Sequence, residues 1–118
     1  MHEFLIKRFF NQSDPWRTIA AAIQVHQPIC GVISNRDGAV IQDGREVLDR
    51  IVAQISNPVR WDLCMAAMVE AGVTAMIEVS PAGTLVGLAK RSMPGVETLA
   101  IKSPENLDAA LALIANHA

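Results

Sequence analysis

Residues 72–91 read GVTAMIEVSPAGTLVGLAKR. Gly72 suits the left-handed residue that ends a helix. Ala75–Val79 is a short, mostly apolar run of strand length. Ser80-Pro81-Ala82-Gly83 is a tight turn from strand to helix. Thr84–Arg91 then has helical spacing, with Lys90 and Arg91 placed in the last turn, where cations oppose the helix dipole. Helix, strand, turn and helix within twenty residues point to an α/β chain.

Outward from this stretch the punctuation repeats. Toward the C-terminus, Met93-Pro94-Gly95 breaks the helix, Val96–Ile101 reads as a strand, and Ser103-Pro104 opens a last helix to about Asn116. Its inner face is expected to be Leu107, Leu111 and Ile114. Toward the N-terminus, a helix opened by Asn57-Pro58 carries Trp61, Leu63, Cys64, Met65 and Met68. Another runs from near Asp43 to about Ile55, with Val47, Leu48, Ile51, Val52 and Ile55 inward; Ser56-Asn57-Pro58 ends it, because the residue before proline avoids the α region. Ile29–Ile33 reads as a buried strand and Ser34–Gly38 as a turn, with a short extended piece at Ala39–Gln42. Asp14-Pro15 opens a first helix to about Val25, whose apolar stripe is Trp16, Ile19, Ala20 and Ile23. Capping residue followed by proline is a helix-start signature, since proline has no N–H to leave unsatisfied. The expected architecture is therefore a partial layered α/β fold: a short, mostly parallel sheet of three strands flanked by helices. Three strands offer few central positions, so the chain reads as part of a larger layered structure.

Composition narrows the function classes. The chain has 118 residues, a net charge of −2, 51% hydrophobic and 19% charged residues. This is a globular profile with no general attraction to nucleic acid or to a membrane surface. Tyrosine is absent, which argues against a base-stacking surface. No apolar run is long enough for a membrane span, and Met1–Phe10 lacks the apolar run and cleavage site of a signal peptide. Cys30 and Cys64, both in apolar surroundings, read as buried reduced thiols, and the expected compartment is the cytoplasm. No metal site or cofactor is implied.

Few residues carry obvious chemistry. No serine lies in a G-x-S-x-G elbow, and Ser13, Ser56 and Ser103 border helix starts, where capping is the ordinary role. His26 is expected at a helix end and His117 at a frayed terminus. The acids are scattered. The N–H groups of the Ser80–Gly83 turn form a weak anion-site candidate.

Four segments change this reading. PICGVISNRDG, QISNPVRW, GVTAMIEVSPAGTLVGLAKR and SPENLDAALAL occur in an order and spacing similar to the C-terminal third of malonyl-CoA:acyl-carrier-protein transacylases, and to related acyltransferase domains of polyketide synthases. The usual forms are a strand ending in Ser-Asn, then Gln-Leu-x-x-Pro-Val-x-Trp, Glu-Val-Gly-Pro-Gly and Leu-x-Gly-Leu-x-Lys-Arg. The resemblance covers about Trp16 to Ala112, leaving 1–13 as an atypical N-terminal segment and 14–118 as the acyltransferase C-terminal part of a single or partial domain. Ser80 and Ala82 stand where the family usually has glycine. The serine elbow, the carboxylate-binding arginine and the segment bearing the catalytic histidine precede this region in the family. Met1-His2-Glu3-Phe4 only faintly echoes that last segment, which makes His2 a weak candidate base.

The resemblance implies malonyl transfer from coenzyme A to acyl carrier protein, as in fatty acid or polyketide synthesis, through a malonyl-serine ester and without metal. This chain would supply support. Gln54 is implied to lend its backbone carbonyl to a catalytic imidazole, as a triad carboxylate would. The carbonyl should be free, because a helix leaves its last carbonyls unpaired, and the Gln54 side chain should be dispensable. Asn35 and Arg60 are expected as local structural contacts and Trp61 as a core anchor. The alternative is a non-catalytic remnant or interaction module docking on a carrier protein or partner subunit. In either case the apolar stripes exceed what so small a sheet covers, so self-association or a need for the missing N-terminal portion is expected.

Overall fold

The computed structural model describes residues 13–118. They form two compact units that divide between Ala67 and Met68.

In the first unit, α1 (Ser13–Ala21) is followed by β1 (Val32–Ile33), β2 (Val40–Ile41), α2 (Gly44–Gln54) and the start of α3 (Trp61–Glu70). α1 packs on α2. It stops at Ala21, short of the expected Val25, for a local reason. The N–H groups of Ala22 and Ile23 tighten the last turn onto Ile19 and Ala20. The Arg45 guanidinium of α2 then takes the carbonyls of Ala20 and Ile23, at 3.0 and 2.9 Å. His26 thus lies beyond the helix, in irregular chain. α2 opens as expected at Asp43, whose carboxylate accepts the Glu46 N–H at 2.8 Å.

The expected strand Ile29–Ile33 contracts to two residues. Val32 and Ile33 pair antiparallel with Ile41 and Val40. Ile29 is fully exposed and Cys30 is exposed, so of the two thiols only Cys64 is buried. The three-stranded sheet is therefore replaced by an antiparallel pair here and a parallel pair in the second unit.

The second unit contains the quoted stretch. α3 ends in a Schellman motif: Val73 N–H donates to Met68 O and Gly72 N–H to Val69 O, both at 3.0 Å, with Gly72 at φ 74°. β3 (Ala75–Glu78), α4 (Thr84–Ser92) and β4 (Glu97–Ala100) form a crossover unit, with the strands parallel and Ala75 opposite Glu97. A 3-10 turn (Pro104–Asn106), opened at Ser103 as expected, leads into α5 (Leu107–His117). α4 covers both strands and α5 packs on β3.

The core here is Val86, Ala89, Met93, Ala110 and Leu113. A fully buried Met such as Met93 contributes about 1.5–3 kcal/mol. α5 turns the opposite way from expectation: Ala110 and Leu113 face inward, while Leu107, Leu111 and Ile114 are 52%, 66% and 55% exposed. The sequence LDAALALIA is apolar on every side, so its period does not select a face. His117 is not frayed. Its Nδ1 lies 3.0 Å from Thr74 Oγ1 and its Nε2 2.8 Å from Glu97 Oε2, which pins the helix end to the parallel pair.

Candidate functional site

The residues singled out in the sequence meet at the junction of α2 and α3. α2 ends at Gln54, and α3 begins at Trp61, three residues later than the Asn57-Pro58 signature implies. Hydrogen bonding explains the delay. A helix starting at Pro58 would use the Asn57 and Pro58 carbonyls as its first acceptors. Both are taken by Gln54 Nε2, at 3.0 and 2.9 Å. Arg60 N–H meanwhile donates to Asn35 O at 2.7 Å, which ties the hinge to the turn after β1. The Arg60 carbonyl becomes the first helical acceptor, for Leu63 and Cys64.

Asn35 and Gln54 line one cleft of about 240 Å³, with Ser34, Arg50 and the apolar side chains of Val32, Ile33, Ile41, Val47 and Ile51. The turn beneath it is braced by ions. Arg50 Nη1 reaches Asp37 at 3.0 Å and Ser34 Oγ at 3.2 Å, while its Nε pairs with Glu46 at 3.0 Å, one helical turn back. The Ala39 N–H is the main influence holding the Asp37 carboxyl below its usual range; burial opposes it and Arg50 assists. Gly38, at φ 74°, closes the turn where an added Cβ would meet Leu63 O. Cys64 Sγ donates to Ser34 O at 3.4 Å. Burial first, then the charges of Asp62 and Asp37, push this thiol up, so it is no nucleophile.

The last-turn carbonyls of α2 are not equally occupied. Ala53 O accepts from Ser56 N–H, Ser56 Oγ and Asn57 Nδ2, the last at 2.6 Å. Gln54 O accepts from Asn57 N–H at 3.2 Å. The sequence implied a free carbonyl, and this one is not wholly free, but a carbonyl has a second lone pair. Nor is the Gln54 side chain idle, since it holds two hinge carbonyls. Arg60 and Asn35 do meet, through the backbone; the Arg60 guanidinium itself pairs with Asp62 at 2.7 Å on the surface. Trp61 is half-buried rather than a full core residue, and its Nε1 is buried without a hydrogen-bond partner. His2 lies outside the described residues.

The Ser80–Gly83 turn is not an open anion site. Its anion is the protein's own: Glu78, 8% exposed at the end of β3, accepts N–H groups from Gly83, Leu85 and Val86 at 2.8, 3.2 and 3.0 Å. Burial works against the charged form. The three N–H groups and the charge of Lys102 outweigh it and hold the carboxyl below its usual range. A lone acid inside an apolar strand, five residues before a helix, was the signal for this role.

No family model matches the chain. Individual relatives do. The malonyl CoA-acyl carrier protein transacylase of Mycobacterium tuberculosis is 45% identical over 95 residues, which is 80% of this chain and 32% of that protein. A crystal structure of MCAT from the same organism superposes with a TM-score of 0.78 at 44% identity, over 82% of this chain and 32% of that one. The chain belongs to the malonyl-CoA:acyl-carrier-protein transacylase family. It spans about a third of the length of the curated transacylases it matches. A further structure, of a malonyl-transacylase in complex with its type II PKS acyl-carrier protein, is 28% identical with a TM-score of 0.76, covering 86% of this chain and 33% of that one. The transacylase likeness fits the expected α/β class, with its small parallel sheet and flanking helices. Among the described residues, no helix is long and apolar enough to cross a membrane.

Proposed function

We propose that this chain is the supporting C-terminal part of a transacylase that moves malonyl from coenzyme A to acyl carrier protein, and that the cleft between Asn35 and Gln54 receives the catalytic imidazole. The observation that carries this reading is the convergence of those two residues on one small cleft beside a helix C-terminus. The negative end of the α2 dipole and the second lone pair of Gln54 O favour an imidazole N–H there, and would fix its tautomer. The serine nucleophile and the malonyl-binding arginine come from the two thirds of the family's length that this chain does not span. The partners are malonyl-CoA and a carrier protein, the compartment is cytoplasmic, and no metal takes part. The carrier-protein complex of a related transacylase supports the second partner.

Exposed apolar surface favours a partner for the chain itself. α5 is apolar all round, and a helix of that kind belongs in an interior. Its outer face, Leu107, Leu111 and Ile114, is exposed, as are Trp16 and Ile19 on α1 and Ile23 just beyond it. We assign these faces to packing against the remaining acyltransferase fold. The experiment is complementation: the chain is mixed with the N-terminal two thirds of the Mycobacterium tuberculosis transacylase, and malonyl transfer to holo carrier protein is followed. The chain alone should be silent and self-associate in sedimentation; the mixture should transfer malonyl as a heterodimer. Malonyl-serine formation on the isolated chain would overturn the supporting role. A dye-silent monomer that ignores the N-terminal portion would favour an autonomous docking module.

A further inference from the structure

We infer that Gln54, which lines the cleft, is a positioning residue whose side chain holds its own main-chain carbonyl in place. The inference rests on the proposed role of that carbonyl but adds a different group. The amide nitrogen donates to Asn57 O at 3.0 Å and to Pro58 O at 2.9 Å. Both partners are pure acceptors, so the orientation of the amide is fixed by chemistry. In return Asn57 N–H donates to Gln54 O at 3.2 Å. Gln54 and Asn57 thus close a ring of two reciprocal hydrogen bonds, one from main chain and one from side chain. The same amide holds the two carbonyls of the hinge that precedes α3. Ala53 O, one residue earlier, is saturated by three donors. The ring therefore leaves Gln54 O, unlike Ala53 O, with an acceptor site to spare, and keeps it from rotating with the hinge.

A residue that donates from its side chain must be replaced by a non-donor to reveal this. Gln54→Leu keeps bulk and removes both donors; Gln54→Glu puts a carboxylate against two carbonyls; Gln54→Lys restores a donor at a helix C-terminus. Two measurements on the ¹⁵N-labelled full chain separate the claims. Hydrogen exchange at Asn57 N–H reports the ring, and chemical-shift titration with imidazole reports the cleft. Exchange should rise about tenfold in Gln54→Leu, more in Gln54→Glu, and stay near wild type in Gln54→Lys. Imidazole should shift the Asn35 and Ile51 amides in wild type and Gln54→Lys, and not in Gln54→Leu. Wild-type exchange and an unchanged imidazole response in Gln54→Leu would overturn the positioning role. A wild-type chain that ignores imidazole, with the exchange pattern as expected, would uphold the ring and overturn the imidazole-holding reading instead. A matching thermal melt of each variant shows that the fold is retained.

Discussion

Two junctions in this chain solve opposite problems with one side chain each. After α2, the hinge presents the carbonyls of Asn57 and Pro58, and Gln54 Nε2 supplies donors to both. Before α4, a helix N-terminus leaves N–H groups unpaired, and Glu78 supplies a carboxylate. The polarity of the main-chain groups at each junction dictates the chemistry of the side chain that closes it. Their settings differ too. Glu78 is buried, and of its three partners Val86 is buried and Gly83 and Leu85 half-buried, whereas the carbonyls held by Gln54 lie in exposed hinge. The Glu78 junction is therefore structural, and the Gln54 junction is free to serve a site.

The largest expected effect follows from that contrast. Glu78→Ala leaves three N–H groups without their acceptor, that of the buried Val86 among them, and a buried unpaired donor costs more than an absent bond. Its melting temperature should fall by about 10 °C or more. Glu78→Gln retains one acceptor oxygen but turns an NH₂ toward donors, so it should fall between Ala and wild type. Gln54→Leu should cost about 1 kcal/mol, because water can reach the released carbonyls. Thermal melts of the three variants check the ranking. If Gln54→Leu proved as damaging as Glu78→Ala, the distinction between the junctions would collapse.

Acid sharpens the same contrast, since only one junction titrates. The Glu78 carboxyl lies below its usual range in the folded chain, as do Asp37, Asp43, Asp62 and Glu105. A depressed folded pKa means that the unfolded chain binds protons first as pH falls. The stabilisation is thus complete above the unfolded value, about 4.3 for glutamate, and is lost as pH drops through the folded one. Denaturant midpoints should be flat from pH 7 to about 5 and decline below about pH 4.3. The decline should be shallower in Glu78→Gln, whose neutral amide has no proton to take up. In Gln54→Leu its slope should match wild type.

The sequence was informative wherever one residue type has one local use. Gly72 could only be a left-handed helix end, and the strand, turn and helix that follow it lie where their spacing implies. The family motifs brought Asn35 and Gln54 forward, and the structure sets them on one cleft. What failed required knowledge of partners. Ile29–Ile33 had strand composition, but only Val32 and Ile33 find an opposite strand among the described residues. α5 offered two apolar faces, and nothing in its period says that Leu113 rather than Leu111 meets the sheet. Asn57-Pro58 had the form of a helix start, but the Asn57 and Pro58 carbonyls accept instead from a side chain in the preceding helix. His117 looked like a loose end because Thr74 and Glu97 are distant in sequence.

The smallest effect is expected at a third junction, which tests whether the polarity rule extends beyond the first two. Asn106 Oδ1 accepts from Lys102 N–H at 3.0 Å and Ser103 N–H at 3.3 Å, at the start of the turn that leads into α5. This is again a helix N-terminal region closed by an acceptor, but an exposed and neutral one. Asn106→Ala should cost about 1 kcal/mol, the ordinary worth of a side-chain cap. Asn106→Asp keeps the acceptor and adds a charge that the positive helix end favours, so it should equal or slightly exceed wild type above about pH 5 and lose that gain in acid. Denaturant melts at two pH values resolve the pair. A neutral Asn106→Ala would mean that Pro104, with its preset φ, fixes this turn without help. The side-chain rule would then hold only where the junction is buried or where a hinge must be kept from becoming helix.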